Sequence, residues 1–133
     1  MDNQEAFTRI VQHLRRQGAK SISIGNSESM CRYRQPHDGR RCAIGVLITD
    51  EFYSEDIEGK TCLQLCDLLR TALPGVSLGL LGACQLIHDI RPVCLWEKQW
   101  TEVASYYGLV VPVFEDVTAN VASVEHKEEV YAL

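Results

Sequence analysis

No run of eighteen apolar residues occurs anywhere in this 133-residue chain, so no segment reads as a helix able to span a bilayer. The opening MDNQEAFTRI is polar and acidic, where a signal peptide needs a cationic patch followed by an apolar stretch. A soluble, cytoplasmic protein with no membrane partner is the expectation. Also missing are Gly-x-Gly-x-x-Gly, the Walker loop, His-Glu-x-x-His and Gly-x-Ser-x-Gly, and with them the usual phosphate cradle, zinc-protease helix and nucleophile elbow. Internal repeats and low-complexity tracts are lacking too. These absences favour a protein that binds over one that catalyses, with no cofactor and no metal.

What is present is apolar content, 46% of the residues, enough at this length for one core but not for two. Residues 1–114 read as one globular domain. Residues 115–133, with scattered valines, five acids and one lysine, read as an acidic tail, mobile or ordered by a partner. Six cysteines stand at positions 31, 42, 62, 66, 84 and 94. Disulfide scaffolds are short, secreted and poor in core residues, so most of these thiols read as small reduced core side chains.

The net charge of −5 hides an asymmetry. Residues 1–41 carry eight Lys/Arg against four Asp/Glu, a net of +4, whereas residues 42–133 carry five against fourteen, a net of −9. A local basic region suits a small anion or a protein partner. The acidic remainder disfavours nucleic acid.

Periodicity gives an α+β, mainly helical domain of about four to five helices with a small β-hairpin at residues 30–43. From Asn3 to Gln17, the residues Ala6, Phe7, Ile10, Val11 and Leu14 repeat at helical spacing, and Gly18 follows as a left-handed cap. Ser21 to Ile24 alternates too briefly for more than a short strand or loop. Met30 to Arg34 and Arg40 to Ala43 flank the turn QPHDG, where Pro36 and Asp38-Gly39 favour chain reversal. The run Ala43 to Ile48 is ambiguous by period and is assigned to a helix, with Gly45 allowing close packing. Thr61 can cap a helix bearing Leu65, Leu68, Leu69 and Leu73, and Ser77 another from Leu78 to about Ile90 that Arg91-Pro92 stops. A last helix, about Leu95 to Tyr107, ends at Gly108 with Trp96 and Trp100 on its apolar side. The following LVVPVF can pack as an extended segment.

Four stretches, CRYRQPHDGRRCAIGVLITDEFY, IEGK, LLGACQLIHD and WEKQWTEVASYYGL, together resemble a group of small phage and prophage proteins. The pattern falls on Cys31, Tyr33, Arg34, Gly39, Cys42, Ala43, Gly45, Leu47, Ile48, Asp50, Tyr53, Gly59, Gln85, Ile87, His88, Asp89 and Trp96, and covers about half the chain. The resemblance implies an accessory viral protein of a phage or mobile element, a counter-defence factor or inhibitor acting in the host cytoplasm.

The candidate partner-binding residues are Arg32, Tyr33, Arg34, Arg40 and Arg41, with His88 and Asp89. Strand alternation puts Arg32 and Arg34 on one face and Cys31 and Tyr33 on the other, and a guanidinium fork suits phosphate or carboxylate. The partner would be a host protein or an anionic, nucleotide-like small molecule. The plainer reading is a charged edge that discourages strand pairing. An enzymatic alternative makes Cys42 the nucleophile of a hydrolase or transferase, with His88 as base and Gln85 as an oxyanion or orienting group; a helix starting at Ala43 would lower the thiol pKa. Asp89 is expected to serve His88 poorly, being about 100° away around the helix. Zinc could draw on Cys31, His37 and Cys42 or on Cys62 and Cys66, though neither set has a recognisable spacing. A third reading is a structural or assembly subunit forming homo-oligomers. His88, Trp96 and Trp100 each have a core reading beside the functional one.

Overall fold

The computed structural model describes residues 1–23 and 30–114. The acidic tail inferred at 115–133 lies outside the described residues. Five α-helices are present among those described: α1 (Asn3–Gln17), α2 (Ala43–Leu47), α3 (Cys66–Ala72), α4 (Leu78–Ile90) and α5 (Trp96–Tyr107). A two-residue antiparallel pairing joins β1 (Ile22–Ser23) to β2 (Met30–Cys31), with Ile22 opposite Cys31.

Helix boundaries follow local chemistry. Asp2 caps α1 by accepting from the Glu5 amide at 2.9 Å, and Gly18 ends the helix at φ 66° while donating to the Leu14 carbonyl. All five periodic apolar residues of α1 are buried. Thr61 and Gln64 form a reciprocal capping pair, Oγ1 accepting from the Gln64 amide at 3.2 Å and Gln64 Oε1 from the Thr61 amide at 2.9 Å. Regular helix then begins five residues later, at Cys66. Ser77 caps α4 through the Leu80 amide, and Gly108 ends α5 at φ 69°.

Short α2 packs against both α1 and α4, and α5 packs on α4. Gly45 lets α2 approach the Tyr33 backbone, since a Cβ there would overlap the Tyr33 carbonyl. Trp100 is fully buried, edge-on to Phe7 with ring centres 6.3 Å apart and beside Trp96 at 6.2 Å. The segment 109–114 runs back along α1 without regular structure. Gln4 accepts from the Val110 amide and donates to its carbonyl, both at 2.9 Å, and Arg15 forks onto Glu97 at 2.7 and 2.8 Å.

The expected hairpin over 30–43 does not form as a ladder. A single bridge, Arg34 to Arg41, and the Gln35 amide donating to the Arg40 carbonyl close the QPHDG turn. The donors that a ladder would use go elsewhere. The Arg32 amide donates to the Ser21 carbonyl, and the Tyr33 and Arg34 amides both donate to the Glu58 carboxylate, at 2.9 and 3.1 Å. A side chain from another segment has replaced the partner strand.

Candidate functional site

A cleft of about 380 Å³ opens between the Cys31–Tyr33 segment, the chain at 59–62 and one face of α4. Helical period builds the α4 wall: Gly82, Gln85, Leu86 and Asp89 recur three and four residues apart and so share a face. Gly82 leaves that wall open, with nothing within 4 Å of where its Cβ would stand. On the opposite side Gly59, at φ 80°, turns the chain so that the Lys60 carbonyl accepts from the Tyr33 hydroxyl.

A polar network runs along the floor. Gln85 is committed at both ends, its Oε1 accepting from the Ile44 amide at 3.1 Å and its Nε2 donating to Asp89 Oδ1 at 3.0 Å. The same Asp89 oxygen lies 2.8 Å from His88 Nδ1. His88 is wholly buried, stacked on Trp96 at 5.9 Å, and its Nε2 accepts from the Ser21 amide at 2.9 Å. An accepting Nε2 leaves the ring proton on Nδ1, where it is donated to Asp89. The Cys31 thiol lies within 4.8 Å of the Asp89 carboxylate. Burial alone would raise the Asp89 pKa, but the contacts with His88, Cys31 and Gln85 hold it below its ordinary value. A depressed carboxyl stabilises the fold above the ordinary carboxylate range, and that contribution is lost as pH falls through the depressed value.

Adjacency on the helix therefore does not separate Asp89 from His88, contrary to the sequence argument. The angular offset applies to Cα–Cβ directions, and the two side chains bend toward one another across it. Ring nitrogen and carboxylate are in contact, yet with both nitrogens of His88 occupied the residue has no lone pair for a Cys42 proton. Cys42 caps α2 from a buried position, 1% exposed. Burial pushes its thiol pKa up, outweighing the opposing contacts with Gly45 and Gln85, so the lowering expected from the helix start is overturned.

Three thiols, Cys31, Cys42 and Cys62, line the cleft. Burial raises Cys31, with further help from Asp89, to about 12, and Cys62 to about 11. Only Cys42 and Cys84 are buried as core residues, and Cys94 is exposed. Iodoacetamide at neutral pH should therefore label Cys94 before the cleft thiols and leave Cys42 and Cys84 unlabelled until denaturant is added, as peptide mass mapping would show. Early labelling of Cys42 would reinstate the nucleophile.

Metal-ligating atoms converge where sequence spacing does not suggest them. Cys31, His88 and Asp89 place one ligand atom each within 4.8 Å of the others. A metal on Nδ1 would have to displace the proton shared with Asp89 and move a proton onto Nε2, against the Ser21 amide. The pattern suits a hydrogen-bonded cluster of neutral thiol, neutral imidazole and carboxylate better than a zinc site. His37, from one zinc set considered on sequence, is exposed on the turn.

The arginines are engaged separately. Arg32 pairs with Glu55 at 2.8 Å, and its Nε donates to the Arg34 carbonyl. Arg34 pairs with Asp50 at 2.7 Å, donates to the Ile48 carbonyl and lies 4.3 Å over the Tyr53 ring. Arg40 faces Asp38 at 3.4 Å and lines a different hollow with His13 and Arg16. The Arg41 amide donates to Gln17 Oε1 at 2.7 Å. Of the sequence candidates, Arg32, Tyr33, Cys42, Gln85 and Asp89 line the cleft, and His88 supports it from behind. Glu58, which the sequence does not single out, holds the Cys31–Tyr33 wall; its only signal was an acid before a turn glycine.

Comparison with protein-family models, with curated proteins and with solved structures finds no match to the chain. No helix among the described residues is long and apolar enough to cross a membrane.

Proposed function

We propose that the chain is a non-enzymatic binding protein whose site is the cleft beside α4, and that it acts by holding a small polar molecule. The observation that carries this reading is the convergence of Asp89, Gln85 and three protonated thiols on one partly enclosed space of about 380 Å³, which Lys60 and Arg32 also line. That size falls in the range of small-ligand pockets, and an apolar lining with few oriented polar groups gives selectivity. Six of the seventeen positions that carry the resemblance to phage proteins, Cys31, Tyr33, Cys42, Gly59, Gln85 and Asp89, line this cleft. On that resemblance, sequestration of an anionic small ligand such as a nucleotide, as a counter-defence step, is the biological role. The cleft, and not the set of four arginines, is the centre of this site, because Arg32 and Arg34 already have carboxylate partners.

Gly82→Leu tests the reading. Its Cβ meets open space and helix propensity improves by about 1 kcal/mol, so the fold should hold while the side chain fills the cleft. Wild type and variant would be incubated with a bacterial metabolite extract, separated from unbound solute, and heated to release ligand for mass spectrometry. Retention by wild type and loss in Gly82→Leu is the expected result. Equal retention, or none by either, would sink the cleft reading and return weight to occupation of a host protein or to an assembly role.

A further inference from the structure

The solvent side of α4 carries almost no charge. In the thirteen residues Leu78–Ile90 the only titratable acid or base besides the buried His88 is Asp89, and it lines the cleft. Elsewhere charge is plentiful, with 23% of the chain Asp, Glu, Lys or Arg, and a helix face that meets water is ordinarily where such residues go. On α4 that place is taken by Leu86 and Ile90, 56% and 60% exposed, and the exposed Val93 and Leu95 follow just beyond the helix end.

Leu86 and Ile90 are the two large members of a stripe. Gly79, Ala83, Leu86 and Ile90 follow one another by four, three and four residues, the spacing that keeps one seam of a helix against a partner helix. At 3.6 residues per turn they fall within roughly 60° of one another, on the side away from the buried Leu80, Cys84 and Ile87. The stripe is small at its N-terminal end and large at its C-terminal end, and that order selects the partner. A two-fold axis through the middle of the stripe runs a second α4 antiparallel to the first and sets Ile90 against Gly79 and Leu86 against Ala83, so that every contact joins a large residue to a small one. Parallel helices would set Leu86 on Leu86 and Ile90 on Ile90 and leave a gap at the glycine end. A Cβ at Gly79 would stand 2.7 Å from the Tyr107 hydroxyl, so Tyr107 borders the seat offered to Ile90.

We propose that α4 is the interface of a homodimer, in which a second copy of this chain packs antiparallel across the stripe Gly79, Ala83, Leu86 and Ile90. The inference goes beyond the ligand reading and does not rest on it. Depletion of charge is the compositional mark of an interface core. One helix pair buries less than a standard interface, so the dimer forms weakly, with a dissociation constant of about 1 to 100 µM. Leu86 also lines the cleft, so Ala83 of the second copy packs on a residue that the ligand space shares.

Sedimentation equilibrium of the full chain tests this, with reductant present so that exposed Cys94 cannot cross-link. The wild type should pass from monomer to dimer over a concentration range of about 1 to 300 µM. Ala83→Glu and Leu86→Lys should each weaken the dimer at least about a hundredfold, because the two-fold axis sets an unpaired charge against an apolar residue at two contacts. Neither position belongs to the core, so the circular dichroism of both variants should match wild type. Mixed in equal amounts, the two should dimerise again with a dissociation constant within about tenfold of wild type. The antiparallel register sets the new carboxylate of one against the new ammonium of the other and leaves Leu86 on Ala83 at the second contact, whereas a parallel register gives no such rescue. Should either variant fail to fold, Ile90→Glu must be monomeric over the same range. A wild type that stays monomeric throughout, a single variant that dimerises like wild type, or a mixture of folded variants with no more dimer than its components overturns the proposal.

Discussion

Glu58→Ala is expected to destabilise the protein by about 3 to 5 kcal/mol, more than truncating any other exposed-loop residue, and to do so without removing an apolar contact. The Glu58 side chain is only 8% exposed. It accepts from the Tyr33 and Arg34 amides at 2.9 and 3.1 Å and from the Tyr53 hydroxyl at 2.7 Å, with the Arg32 guanidinium 3.8 Å away. Truncation leaves two backbone donors of a half-covered segment without acceptors, and each buried unmet donor costs about 1 to 3 kcal/mol. Arg32 would also lose one of its two carboxylates. Glu58→Gln keeps one acceptor oxygen but turns an NH₂ toward donors, so it should recover less than half of the loss. Urea denaturation of the three proteins measures this. A loss below about 1 kcal/mol for Glu58→Ala would mean that water serves those amides as well as the carboxylate does. A full loss should also weaken any cleft ligand, because the Cys31–Tyr33 wall hangs on the same side chain.

That dependence explains why the hairpin misled. Helices α1, α4 and α5 can be read because their information is local: apolar spacing, a capping side chain at the start of α1 and α4, and Gly18, Pro92 or Gly108 at the far end. Even the Thr61 cap was legible, although four residues of turn separate it from regular helix. A ladder between 30–34 and 40–43 depends instead on which acceptors reach its amides. Here one carboxylate in YSEDIEGK, some 25 residues away, outcompetes the opposite strand. In that stretch Glu58 differs from Glu55 and Asp56 only in preceding the turn glycine, which does not say which amides it meets.

The candidate site was legible in membership more than in arrangement. Cys42, Gln85, His88 and Asp89 were singled out from their residue types, and they do gather around the cleft. Their roles were not readable, since the tautomer of His88 depends on Ser21 and the state of Cys42 depends on burial. The arginine face was inferred from alternation alone. Alternation says which way Arg32 and Arg34 point, but not that Glu55 and Asp50 wait there.

His88→Phe is expected to destabilise the protein by about 2 to 4 kcal/mol although it keeps an aromatic ring stacked on Trp96. The imidazole ties the β1 approach to α4 through two bonds: the Ser21 amide at 2.9 Å, and Asp89 at 2.8 Å on its own helix. Ser21 is fully buried, so its amide loses its acceptor with no water at hand. Asp89 loses the first of the contacts that offset its burial, and its carboxyl pKa should rise toward the ordinary value. His88→Asn, with an acceptor and a donor on a shorter arm, cannot reach both partners and should cost at least as much, through the cavity beside Trp96. Chemical denaturation gives the stabilities, and the chemical shift of the Asp89 carboxyl carbon gives its titration. Two results would go against a structural role for the imidazole: a His88→Phe protein as stable as wild type, or an Asp89 carboxyl that titrates unchanged in it. Either would release His88 as a free group and bring the Cys42 and His88 pairing back into consideration.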